Sequence, residues 1–254
     1  MNLLFASTVT RTSRWDVFIP FSGLHLLAVG GCLLVIAVVV IVGWHMRSRR
    51  AESNIRWSIA IFAICYWVSD KAWWNWNGVH LLNGLPLQVC DLNGLVAPLA
   101  LLTLNRWLRA TLYFWTFVLT VQAFIQPDLA AGPALLGFWA FWAGHTVVTA
   151  CAAWDLAALQ FRPGWPDLRR AYIVSAIYIA VIMPVNLWLD SNYGYIGNPA
   201  PEGKIPPLVQ AFGPWPGRAV IIVALAALGF VLALWPWLVL KGRQRSPKIT
   251  LDHS

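Results

Sequence analysis

Residues 24–44 read LHLLAVGGCLLVIAVVVIVGW, a run whose one strongly polar side chain is His25. An uninterrupted apolar run of about 20 residues matches the roughly 30 Å hydrocarbon core of a bilayer. A second such run, Ala219–Leu240, lies near the other end of the chain. Composition agrees with the runs. Of 254 residues, 59% are hydrophobic and 11% charged, against roughly 25% charged in soluble domains. Seventeen tryptophans suit a chain that passes repeatedly through the headgroup level, where that side chain concentrates. The expected fold is all-α: a polytopic integral membrane protein forming one helical domain over residues 1–254. Seven transmembrane helices are expected near 24–44, 56–78, 86–104, 109–127, 134–154, 169–190 and 217–240.

A net charge of +8 could suggest a nucleic-acid partner, but the placement of the charges argues against one. Segments 47–56, 106–109, 162–170 and 241–248 hold 13 of the 18 basic residues. All four fall at one side of a seven-helix path. The positive-inside rule then predicts an N-out, C-in chain, located as a multi-pass protein of the cell (inner) membrane. The four cysteines occupy four different expected helices, and no Cys/His spacing suggests a metal. Neither a metal nor another cofactor is expected.

Within this apolar chain the stretch LPLQVCDLNG, residues 85–94, brings Gln88, Cys90, Asp91 and Asn93 together. Pro86 suits the first position of a helix, which would put Cys90 about one turn inside. There the positive end of the helix dipole favours a thiolate. A reactive thiol needs a base beside it, and three histidines qualify: His25, His80 and His145. His145, in FWAGHTVV, is the costliest to place, because apolar and aromatic turns flank it. By helical rise, however, Cys90 would lie roughly 7 Å and His145 roughly 17 Å inside their helix starts.

Other polar residues are expected at the same outer depth. Asp70 and Lys71 lie two turns from the end of the second helix. Because adjacent residues on a helix do not face each other, each is expected to find its own partner. Gln122 and Asn186 are expected to hydrogen-bond between helices, and Tyr172, Ser175 and Tyr178 to pack. Residues 191–216, rich in proline and glycine, cannot form one regular helix. A long ordered loop of this kind is commonly a lid or binding loop, with Asn192, Tyr193 and Trp215 as candidate contacts. An ionisable layer within a bilayer marks function. One reading is a catalytic thiol site. Another is a small-solute or proton-coupled transporter or receptor using Asp70, Lys71 and Asp91, with Asp190 nearby.

The segments LPLQVCDLNGL, FWAFWAGHTVV and NYGYIGNPAPEGKIPPLVQAFGPWP occur in the order and spacing of the transmembrane protein 164 family and its bacterial YwaF-like members. FSGLHLL at 21–27 resembles the family's N-terminal histidine segment. The resemblance runs from about Phe18 to Trp237. It implies an all-helical membrane protein in which a cysteine and a histidine serve acyl transfer. Animal members are described as acyltransferases that move fatty acyl chains between phospholipids. A distantly related group, the androgen-induced-protein hydrolases, cleaves fatty-acid esters with a threonine and a histidine. By motif position the cysteine is Cys90 and the histidine His145. The expected partners are therefore membrane phospholipids or fatty-acyl esters. In the expected chemistry a lipid acyltransferase or lipid-ester hydrolase forms a thioester on Cys90, with His145 as base. Asn93, Gln88 or the helix start would stabilise the oxyanion, and Asp91 or Asp70 would orient the histidine. The chain departs from the family pattern at Asn198-Pro199, where Lys-Pro is usual, and at Gly217-Arg218, where two aromatic residues are usual. Both departures bear on the substrate headgroup more than on the fold.

Overall fold

The computed structural model describes residues 15–76, 85–199 and 205–245. Seven rods follow in chain order: α1 (Gly23–Met46), α2 (Ala51–Trp76), α3 (Val89–Thr103), α4 (Arg106–Ile125), α5 (Leu136–Ala157), α6 (Trp165–Leu189) and α7 (Gly217–Arg245). The all-helical expectation holds. Five of these helices, α1, α4, α5, α6 and α7, are long and apolar enough to cross a membrane. α2 has 26 residues but carries Glu52, Arg56, Asp70 and Lys71. α3 is apolar but has 15 residues, about 22 Å at helical rise.

Local sequence sets the helix ends. Ser22 caps α1 by accepting the His25 N–H at 3.3 Å. Asn105 accepts from the Trp107 and Leu108 N–H groups at the start of α4. Asp167 reaches back from the first turn of α6 to the Gly164 N–H at 2.9 Å. Each satisfies N–H groups that a helix leaves without internal acceptors. α3 and α6 stop where Leu104 (φ 54°) and Asp190 (φ 48°) turn left-handed. α4 is not uniform: Trp115–Thr120 is π-helical, marked by the Val121 N–H bonding to Thr116 C=O at 2.9 Å.

α3 is the central post, packed against α2, α4 and α5. Its contacts are made by small residues. Ala60 and Ala63 of α2, Ala97 and Ala100 of α3 and Ala152 of α5 are all buried in one core. Small side chains let membrane helices approach closely. Gly94 shows the requirement at one point, since a Cβ there would lie 2.8 Å from the Trp67 ring. α1, by contrast, leaves Leu26, Leu27, Leu33 and Leu34 exposed, which gives it a lipid-facing surface.

One end of the bundle, where α2 starts and α3 ends, is basic. Several of its arginines are internal ion-pair partners. Asp155 takes Arg109 at 2.8 Å, and Asp167 takes Arg106 at 2.6 Å and Arg170 at 2.9 Å. Arg106 and Arg109 also flank the Phe161 ring at 4.7 and 4.8 Å. The charge excess read as a topology signal therefore also builds structure. The opposite end, where α2 ends and α3 begins, is covered by residues 191–199.

Candidate functional site

α3 begins at Val89, three residues later than expected, with Gln88 as its N-cap. Pro86 lies in the bend before it rather than at the first helical position, and Cys90 is the second helical residue. Gln88 makes no capping bond, so the N–H groups of the first turn have no side-chain acceptor from their cap. The start of α3 is sunk into the bundle. Asp91 pairs with Lys71, which precedes the last residue of α2, Trp76, by five positions, or roughly 7 Å along the axis.

Lys71 pairs with both Asp91 and Asp70, the latter at 2.9 Å. The expectation that neighbouring Asp70 and Lys71 would seek separate partners is thus corrected. A lysine's flexible four-carbon stem can fold its ammonium back to an adjacent residue. The Asp91 carbonyl also accepts the Trp67 indole N–H at 2.8 Å, which fixes the start of α3 against α2.

Asn93 is fully buried. Its amide N–H groups go to the Thr116 and Thr120 hydroxyls at 3.0 and 3.1 Å, and its Oδ1 has no partner among the described residues. Those donors are therefore committed within the protein. A hydroxyl oxygen that accepts from Asn93 still has its own proton to give, and the Cys90 sulfur is the neighbour of Thr120. Lys71 and Asp91 lie within electrostatic range of Cys90. Thr120 does not stand out in the sequence. Thr116 and Thr120 stand four positions apart, a spacing that shares a helix face. They lie within the π-helical turn, a feature common at functional sites.

The histidines separate by their bonds. His25 is buried with both ring nitrogens engaged: Nδ1 accepts the Phe21 N–H at 2.9 Å, and Nε2 donates to Phe124 C=O at 3.0 Å. It staples α1 to α4. His80 lies outside the described residues. His145 donates from Nδ1 to Phe141 C=O at 2.7 Å, which leaves Nε2 to carry the basic lone pair. Asp91, Lys71 and Asp70 all stand within electrostatic range of His145. A backbone carbonyl, rather than Asp91 or Asp70, orients its ring; the two carboxylates supply field.

Residues 191–199, after α6, form a hydrogen-bonded cap. Asn186 does not bridge helices as expected. Its Oδ1 accepts from Ser191 Oγ and the Tyr193 N–H at 3.0 and 2.8 Å, and its Nδ2 donates to Tyr193 C=O at 2.9 Å. Gln88 ties the cap to α3, with Oε1 accepting the Gly194 N–H at 3.0 Å and Nε2 facing Asn192 C=O at 3.5 Å. The Asn192 carboxamide oxygen accepts the Gly197 N–H at 3.1 Å. Trp215 donates to Ile196 C=O at 3.2 Å, and Arg218 to Gly197 C=O at 2.8 Å. Tyr193 is buried against Ile182, Leu85 and Leu87. Tyr195 donates to Asp128 at 3.2 Å, and burial together with that carboxylate holds its phenol well above the usual range. Tyr195 also lies within electrostatic range of Cys90 and Asp91, so the cap covers the start of α3. Gln122, expected to bridge helices, instead bonds Val118 C=O of its own helix at 3.4 Å. Tyr172, Ser175 and Tyr178 pack and bond across helices, Tyr178 to Leu87 C=O at 2.9 Å.

Two clefts flank this region. One, of about 320 Å³, lies between α3, α4 and α6 and is lined by Leu87, Leu92, Trp115, Ile177 and Tyr178. The other, of about 350 Å³, lies between α2 and α5. Among the described residues no group of three or more His, Cys, Asp or Glu side chains is placed to hold a metal.

No curated protein and no solved structure matches the chain. The sequence profile of the TMEM164 family matches residues 20–234, which takes in every residue of the cluster from His25 to Arg218, and this multi-pass membrane protein belongs to that family.

Proposed function

We propose that the chain is an intramembrane lipid acyltransferase, or a lipid-ester hydrolase when water is the acceptor. The supporting observation is that Cys90, at the start of α3, and His145 both stand within electrostatic range of Asp91 and Lys71, with Thr120 beside Cys90. The His145 ring is held through Nδ1, which leaves Nε2 as the base. His145 Nε2 takes the Cys90 proton, and the thiolate attacks an acyl ester carbonyl. The N–H groups of the first turn of α3 and the Thr120 hydroxyl stabilise the oxyanion. The C–O bond breaks, the His145 proton goes to the leaving alkoxide, and a thioester remains on Cys90. A second lipid hydroxyl, or water, gives its proton to His145, takes the acyl group and returns the thiol. Asp70, Lys71 and Asp91 set the field around the base. The cap of Asn192, Tyr193 and Trp215 shields the thioester from water.

In this reading all seven helices cross the cell membrane with the N-terminus outside. The test uses vesicles holding a chain-labelled phospholipid and an unlabelled lysophospholipid. Label transfer by the wild type, lost in Cys90→Ala and in His145→Gln, supports the reading. Equal lipid turnover in all three proteins contradicts it. The meeting of Asp70, Lys71 and Asp91 inside the bundle supports a second reading, a proton- or solute-coupled transporter or receptor. That reading requires Asp70→Asn to abolish function while Cys90→Ala leaves it intact.

A further inference from the structure

Asn93, Thr116 and Thr120 form a group of fully buried polar side chains between α3 and α4. One hydrogen-bonding position in the group is left over, because Asn93 Oδ1 has no partner among the described residues. We infer that this oxygen holds the water that hydrolyses an acyl thioester on Cys90. Asn93 is then a water-positioning residue, and it sets how much of the acyl chain leaves as free fatty acid rather than on a second lipid. The inference rests on the acyl-transfer reading.

The orientation of the carboxamide follows from the groups around it. Thr120 stands beside the Cys90 sulfur, to which it can give its one proton. Its oxygen is then an acceptor for Asn93, and the amide nitrogen serves Thr116 and Thr120 at 3.0 and 3.1 Å. Both N–H donors are spent on α4, which leaves Oδ1 at the other corner of the planar group. Asn93 lies three positions after Cys90, a spacing that shares a helix face. A helical side chain leans over the turn that precedes it, so the carboxamide leans toward the level of the thiol. α3 is packed against α2 and α5 as well as α4, and these helices carry Lys71 and His145.

A buried acceptor without a partner is costly, and an internal water is the usual donor in such a place. The count of protons decides between water and a lipid hydroxyl. A lipid hydroxyl has one proton, which acyl transfer sends to the base. Water has two, so it can give one to Asn93 Oδ1 and offer the other to His145 Nε2, the nitrogen left free by the Phe141 bond. In the hydrolytic step the water oxygen bonds to the thioester carbonyl carbon as the second proton passes to His145. The C–S bond breaks and the His145 proton goes to the Cys90 sulfur. The acyl chain departs as a carboxylic acid that keeps the proton held by Asn93. The cap excludes bulk water from the thioester, whereas Asn93 admits one molecule at a fixed place.

The test follows the thioester after it forms. Purified full-length wild type and Asn93→Leu, in detergent, are loaded with chain-labelled phosphatidylcholine and then freed of donor. Loss of the adduct is read by intact mass, with and without lysophosphatidylethanolamine, and labelled fatty acid and labelled phosphatidylethanolamine are counted. Asn93→Leu should slow decay in water by about 10²-fold, the scale on which misplacing a reactant acts. It should also lower the ratio of fatty acid to transferred chain. That ratio does not depend on how much protein is folded, and a weaker oxyanion site would slow both routes alike. If Asn93→Leu does not fold, Thr116→Val decides the matter. It removes one of the two bonds that hold the carboxamide and should lower the ratio in the same direction.

An unchanged ratio in the folded variant overturns the inference, as does a wild-type thioester that decays only when the lysophospholipid is present. Both results leave acyl transfer standing. No adduct on Cys90 in either protein, with neither product formed, removes the transfer reading and this inference with it.

Discussion

At the residue scale the separation of roles rests on hydrogen-bond accounting. His25 spends both ring nitrogens on backbone partners, whereas His145 spends one. His25→Ala should therefore lower stability by ~1–3 kcal/mol, the cost of leaving buried groups unpaired, while folded protein still transfers acyl chains. Thermal unfolding and turnover per folded molecule measure the two effects separately. His145→Gln should lower turnover by about 10²–10⁴-fold, the usual contribution of a general base, with a smaller change in unfolding temperature. Thr120→Val should cost on the order of 10²-fold in turnover if its hydroxyl serves the oxyanion, and Thr120→Ser should restore most of it. Loss of stability alone, with turnover per folded molecule intact, would make Thr120 only a partner for Asn93. Cys90 and His145 stand out in the sequence because polar side chains in an apolar run are conspicuous. Thr120 does not, because a threonine in a membrane helix usually bonds its own backbone, and only the fold brings its oxygen to accept from Asn93.

At the scale of elements, the approach of α2 to α3 decides whether the site exists. Gly94 admits the Trp67 ring, and that same indole holds the Asp91 carbonyl. Gly94→Ala should force the helices apart at ~1–3 kcal/mol and reduce turnover although it changes no polar group; unfolding temperature and lipid turnover together check this. The cap depends on Asn186, whose carboxamide makes three bonds to residues 191–193. Asn186→Leu should loosen it, and limited proteolysis should then cut within 191–199, where the wild type resists. Helix existence was legible from apolar runs, but the start of α3 was not. Pro86 is a favourable first residue of a helix in isolation, yet here the preceding chain packs Leu85 and Leu87 against Tyr193 and delays the helix to Val89. The Asp70–Lys71 pair escaped for a related reason: backbone spacing predicts divergence, whereas a long side chain and the nearby Asp91 bring the ammonium back.

For the whole molecule, the sequence signals sort by how much they depend on neighbours. The five helices that meet the length and apolarity of a membrane span needed none. α2 and α3 depend on the others: the charges of α2 are paired inside the bundle, and the short α3 is its central post. The basic end likewise combines an orientation signal with internal pairs such as Asp155–Arg109 and Asp167–Arg106. In the proposed reading, Cys90, His145 and the two lateral clefts serve substrates that arrive from the bilayer. If Cys90 carries an acyl group, the intact mass of purified protein after incubation with phospholipid reports it. The mass should increase by one acyl chain, mapped to Cys90, released by hydroxylamine and absent from Cys90→Ala. An unmodified Cys90 in wild-type protein that is turning over lipid, with Cys90→Ala turning over lipid equally well, would contradict it.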